Sequence, residues 1–115
     1  MMRRDNIYIK HILESISRIE KYIDNVQYEE FIKYQLLQDG VIRQLEIIGE
    51  ATKRLSTEMK QKSTKIPWKD ISGMRDKLIH NYFGVDLEEV WRTIKKDIPF
   101  FKKELNNILK KEDIF

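Results

Sequence analysis

Apolar residues recur along this chain at spacings of three and four. Ile9, Ile12, Ile16, Ile19 and Ile23 form one such series, and that interval lays side chains along one stripe of an α-helix. Ile7, Leu13 and Tyr22 widen the stripe. The series predicts a first helix that starts at Asp5 or Asn6, both good N-cap residues, and ends near Asp24. A shorter segment, Tyr28 to Gln38 or thereabouts, carries Phe31, Ile32, Leu36 and Leu37. Gly40 either separates it from the next helix or lies inside one long helix, where glycine costs about 1 kcal/mol relative to alanine. Val41, Leu45, Ile48, Thr52 and Leu55 continue the spacing toward Ser56, and the small residues Gly49 and Ala51 in that helix permit close approach of another backbone.

From Ser56 to Ile66 the chain is polar, lysine-rich and without apolar periodicity, which predicts a loop. Pro67 suits the first turn of a third helix, because its missing N–H would be unpaired there. Trp68, Ile71, Met74, Leu78 and Tyr82 mark the buried side of that helix, and Gly84 ends it. Asp86-Leu87-Glu88-Glu89 resembles a capping box that opens a fourth helix. Val90, Trp91, Ile94, Ile98, Phe101, Leu105 and Ile108 carry it toward Lys110, with a kink expected at Pro99, where residue 95 loses its hydrogen-bond donor. Trp68 and Trp91 read as core anchors at helix starts. No segment alternates with period two. The pattern predicts an all-α, four- or five-helix up-down bundle with a kinked C-terminal helix, as one domain over residues 1–115.

Composition narrows this picture without redirecting it. A chain of 115 residues can bury one core, and 36% charged with 41% hydrophobic residues describes a globular protein rather than a disordered one. Apolar runs are too short for a membrane span, the N-terminus has no secretion-signal pattern, and cysteine is absent. A cytoplasmic protein with no membrane partner is expected. The net charge is +3, but residues 53–69 alone carry +5, from Lys53, Arg54, Lys60, Lys62, Lys65 and Lys69 against Glu58. That stretch either draws a phosphodiester backbone toward the segment after it or forms a solvated loop.

The segment after it holds the chemistry. Gly73-Met74-Arg75-Asp76-Lys77-Leu78-Ile79-His80-Asn81-Tyr82 gathers a guanidinium, a carboxylate, an imidazole and a phenol. A guanidinium can hold a phosphate, and an imidazole can move a proton near neutral pH. RNA supplies its own nucleophile in the 2′-hydroxyl, so His80 for proton transfer and Arg75 for the charge developing on phosphorus suffice to cleave it without a metal. Asp76 lies four residues before His80, and on a continuous helix the two would touch. Arg75 lies five before His80, about 140° around the same helix. Convergence then requires that Arg75 curl round, that the helix end before His80, or that a second copy of the chain complete the site. Asn81 and Tyr82 could help hold a phosphate or a base, while Tyr82 also falls on the apolar face.

The plainer readings are a solvated Arg-Asp-Lys face and a histidine satisfying carbonyls at a helix end. His11 has no nearby partner in sequence and reads as structural or exposed. Glu46 and Glu50 are four apart, but two histidines with scattered carboxylates make a poor ligand set, so no metal and no cofactor are expected.

Arg75-x4-His80-x-Tyr82 resembles the signature of the HEPN superfamily, and specifically its HepT toxin branch. Leu45-Glu46-Ile47-Ile48-Gly49-Glu50-Ala51, then Ile66-Pro67-Trp68, then Phe83-Gly84-Val85-Asp86 with Val90-Trp91, and Pro99 match that branch in order. The resemblance implies a homodimer whose Arg–His pairs share a cleft. It also implies a metal-independent endoribonuclease toxin of a type II toxin–antitoxin pair, with Arg75 and His80 catalytic and Asp76 as the polar residue after the arginine. The implied partner is a nucleotidyltransferase antitoxin of the MntA type, which neutralises the toxin by transferring AMP to Tyr82. A bulky anion there would occupy the space of the substrate phosphate. HEPN domains also serve as non-catalytic adaptors that bind or position a nucleotidyltransferase, and a nucleotide-binding module is a third reading.

Overall fold

A computed structural model of the chain describes residues 3–81 and 84–111, with backbone alone for Arg3 and for Ile79 to Asn81. The isoleucine series does form a helix, α1 (Arg3–Tyr22), and it buries Ile9, Ile12, Ile16 and Ile19. Each such side chain contributes about 1.5–3 kcal/mol when withdrawn from water. Asn25, at φ 59°, takes the left-handed conformation just past the helix end, which asparagine tolerates better than most residues.

The start of α1 differs from expectation. Asp5 lies inside the first turn, fully buried, and does not cap it. Its carboxylate instead accepts from the backbone N–H of Ser56 at 2.8 Å and from the Ser56 hydroxyl at 2.6 Å. Burial of a charged group is tolerable because both oxygens have donors. The Ser56 hydroxyl in turn accepts from Met59 N and caps α4 (Thr57–Lys60), inside the segment expected to be loop. Met59, fully buried, anchors that single turn. One apolar residue cannot display a period, so the pattern missed it.

Between these, α2 (Tyr28–Phe31) is one turn long and α3 (Gln35–Lys53) runs through Gly40 unbroken, which settles that alternative. The two long helices are antiparallel: the ring of Tyr22, at the end of α1, lies beside Gly40 near the start of α3. Asp5 at the other end meets Ser56, three residues past the end of α3. The C-terminal rod consists of α7 (Leu87–Arg92), a π-helical turn (Thr93–Asp97) and α8 (Ile98–Lys111). Asp86 caps α7 by accepting from Glu89 N at 3.1 Å, as the sequence suggested. The disturbance expected at Pro99 takes the form of that π-helical turn immediately before it. Widening the helix there accommodates the carbonyl that proline cannot serve. Lys102 on α8 pairs with Glu20 near the end of α1 at 2.9 Å, while Leu109 lies beside Ile9 and Leu13, so these rods are antiparallel too.

Trp91 lies against Phe31, with ring centroids 5.1 Å apart, and Trp68 meets Phe101 edge to face at 6.0 Å. Both tryptophans are half-buried and pack against the core; Trp68 opens α5 (Trp68–Ser72), whereas Trp91 is the fifth residue of α7. The architecture is the expected all-α bundle, and among the described residues the strands are two short ones.

Candidate active site

The third helix of the sequence reading is three pieces. Residues Trp68–Ser72 form α5 and Met74–Leu78 form α6, with Gly73 between them, after which the chain becomes extended. Strand β1 (Ile79–Asn81) pairs antiparallel with β2 (Gly84–Val85), so Gly84 belongs to a hairpin and does not end a helix. Ile71, Met74 and Leu78 are buried as expected. The helical period was visible because it holds up to Leu78, and the break was not because Ile79 and His80 fit either state.

Position in this hairpin matters for His80. Ile79 is opposite Val85 and Asn81 is opposite Gly84, so the register slips between them. His80 is the extra residue on β1, at a bulge, a feature that re-aims chains beside active sites. Asp86 N donates to Leu78 O at 3.1 Å and ties the base of the hairpin to the end of α6. The helix does end before the histidine, one of the three arrangements that convergence of Arg75 and His80 allows. The helical contact expected between Asp76 and His80 has no basis, since they do not share a helix. The side chains of His80 and Asn81, and all of Tyr82, lie outside the described residues.

Arg75 is positioned from across the bundle. Its Nε donates to Glu46 Oε2 on α3 at 2.9 Å, and its Nη1 lies 4.0 Å from Asp76 Oδ1. The arginine side chain is 61% exposed and that of Glu46 29%, so the guanidinium is held through Nε while the group itself faces water. This is the state a phosphate-binding arginine needs: aimed, yet accessible. Glycine makes the contact possible. A Cβ at Gly49 would come within 3.2 Å of Ile71 O and 3.5 Å of Ser72 O, so only a bare backbone lets α3 run this close to α5. Gly49 is one turn from Glu46, and α6 follows α5 directly; the close approach that the small residue allows brings Arg75 to Glu46.

Glu46 is the partner of Arg75 that sequence reasoning missed. Nothing in a linear sequence reports a partner 29 positions away. Within the lysine-rich stretch, Lys62 and Lys65 line a groove of about 420 Å³ with Lys110 and Lys111 of α8, while Arg54 lines a cleft with Glu46. On α7, Glu89 accepts from the Arg92 guanidinium and, by that bond first and by charge second, holds it further toward its charged form. Among the described residues no three His, Cys, Asp or Glu side chains gather as a metal site would require, and no helix is long and apolar enough to cross a membrane.

The helical bundle thus presents a water-facing arginine in a short helix that leads into a strand bulge at His80. Comparison with known proteins makes this specific: the chain belongs to the HepT-like ribonuclease family, whose profile matches residues 12–108. A protein of Caldanaerobacter subterraneus subsp. tengcongensis named "Putative RNase" is 44% identical over 96% of this chain and 99% of its own length. The "Probable ribonuclease HepT" of Thermococcus cleftensis is 42% identical over 96% of this chain and all of its own. A longer Methanocaldococcus jannaschii protein, "Gamma-glutamylcyclotransferase and putative RNase", is 50% identical over 97% of this chain, which spans 51% of it. No solved structure matches. The expectation of an RNA-cleaving enzyme is met at the level of the family.

Proposed function

We propose that this protein is a metal-independent endoribonuclease toxin in which Arg75 and His80 cleave the RNA phosphodiester. The observation that carries the reading is the Arg75–Glu46 contact at 2.9 Å, which fixes a guanidinium by its inner nitrogen and leaves the outer ones for an anion. The 2′-oxygen attacks phosphorus, its proton leaves, and the bond from phosphorus to the 5′-oxygen breaks as that oxygen gains a proton. His80 serves the proton transfer, and Arg75 stabilises charge on the phosphoryl oxygens. The products are a 2′,3′-cyclic phosphate and a 5′-hydroxyl. Asp76 and Asn81 support the pair, Asp76 beside the guanidinium and Asn81 one residue past the bulge.

The same reading makes the active unit a homodimer whose two arginine–histidine pairs face one cleft. It pairs the toxin with a nucleotidyltransferase antitoxin that neutralises it by transferring AMP to the hydroxyl of Tyr82. The family membership and the placement of Tyr82 two residues beyond His80 support it. The test is cleavage of a labelled RNA by wild type and His80→Ala with EDTA present, with the product ends identified. Cleavage by wild type alone, leaving cyclic phosphate ends, is the expected result. Equal cleavage by both proteins, or dependence on a divalent ion, would overturn the mechanism.

A further inference from the structure

Glu46 faces two ways. Besides holding Arg75, it lines a cleft of about 210 Å³ between α1 and α3, together with Tyr8, His11, Arg43, Glu50 and Arg54. The lining holds two arginines and two glutamates, and only one of those arginines is taken up by a carboxylate. Glu46 is taken up by Arg75 at 2.9 Å, and Glu50 faces Arg54 at 3.5 Å. Arg43, exposed, has no ion pair among the described residues, and the exposed His11 has a ring contact with Tyr8, centroids 6.4 Å apart. What remains beyond the paired groups is a free guanidinium, an imidazole and a phenol ring, in a cleft that shares a wall with the support of Arg75.

We propose that this cleft is a substrate subsite, binding the phosphate and sugar of the RNA nucleotide next to the scissile linkage. This deepens the ribonuclease reading and rests on it for the identity of the strand. A single strand presents one negative charge per nucleotide, so an RNA whose reacting phosphate lies on Arg75 must carry its next phosphate nearby. Arg43 supplies a planar fork for that anion. The rings of Tyr8 and His11 supply faces and edges for the adjoining sugar and base. The two carboxylates would repel the strand if bare, which is why their pairing with Arg75 and Arg54 matters.

The probe is a fluorescent 2′-O-methyl oligoribonucleotide, which binds as RNA does and lacks the nucleophile for cleavage. Its affinity for the full chain is read by anisotropy over a range of salt. Arg43→Ala is expected to weaken binding about tenfold and to reduce the salt slope by about one, the signature of one lost phosphate contact. Arg43→Lys should restore the slope, which a purely structural role for Arg43 would not require. The inference is overturned if wild type does not bind the probe, if Arg43→Ala keeps both affinity and slope, or if Arg43→Ala changes only the oligomeric state, meaning that a second copy covers the cleft. Binding through Arg43 without any RNA cleavage would refute the ribonuclease mechanism and leave the subsite standing. Cleavage through His80 with Arg43 irrelevant to binding would do the reverse.

Discussion

The rods α1, α3 and α8 and the arm from Trp68 to Asp86 are built on opposite principles. Each rod runs for 14 residues or more, and its apolar stripe repeats often enough that one residue out of place changes little. In the arm, two five-residue helices, a bulged hairpin and a cap follow one another within twenty residues. Helices this short do not persist alone in water. They hold their places through contacts made by others: the Gly49 approach, the Glu46 bond to Arg75, and the hydrogen bond from Asp86 to Leu78. The rods hold most of the buried core and the arm carries the arginine and histidine proposed for the chemistry, and the link between them is a handful of identifiable contacts.

That contrast can be broken at several points. The largest effect is expected in a rod: Ile16→Ala, at a position 1% exposed, should cost about 2–5 kcal/mol in chemical denaturation. Activity per folded molecule should be retained, and selective loss of activity at full stability would contradict the division of labour. Gly49→Ala acts on the link. A methyl group 3.2 Å from a backbone carbonyl must push α5 away, so about 1–3 kcal/mol should be lost, with RNA cleavage falling further than the unfolded fraction explains. Undiminished stability would mean that the helices separate freely.

Smaller effects sharpen the comparison. Glu46→Gln keeps an acceptor for Arg75 and removes the charge. Because both groups are partly exposed, cleavage should fall only about two- to fivefold, with the melting temperature unmoved. A larger collapse would show that Glu46 takes part in the reaction and does more than aim the arginine. Gly40→Ala is the counterpart of Gly49→Ala in the same helix. Its Cβ would meet the Tyr22 ring at 3.5 Å, an ordinary contact, so the protein should gain about 0.5–1 kcal/mol, measured by the same denaturation. Two glycines in one helix would thus give opposite signs, according to whether backbone lies opposite.

How much was legible follows the same division. The isoleucine series, the α3 series and the run from Val90 to Ile108 announce themselves, because a period repeated four or five times survives local exceptions. The role of Gly49 as a close-approach residue was readable, and so was the Asp86 cap. The one-turn helix at Met59 was not, since it depends on a buried Asp5 more than fifty residues away. Nor was the end of α6 at Leu78, because Ile79 and His80 continue a helical pattern just as well as they begin a strand. The arginine and histidine stand out by their chemistry, whereas the partner of the arginine, 29 positions away, does not.

What the sequence alone determined, then, is the set of rods and the chemical inventory, since both reside in residue type and short-range spacing. The tertiary structure alone decided where the third helix breaks, that Asp5 binds Ser56 instead of capping its own helix, and that Glu46 aims Arg75. Each of those outcomes is a competition between a local preference and a contact made across the bundle. A contact across the bundle exists only once the chain has folded.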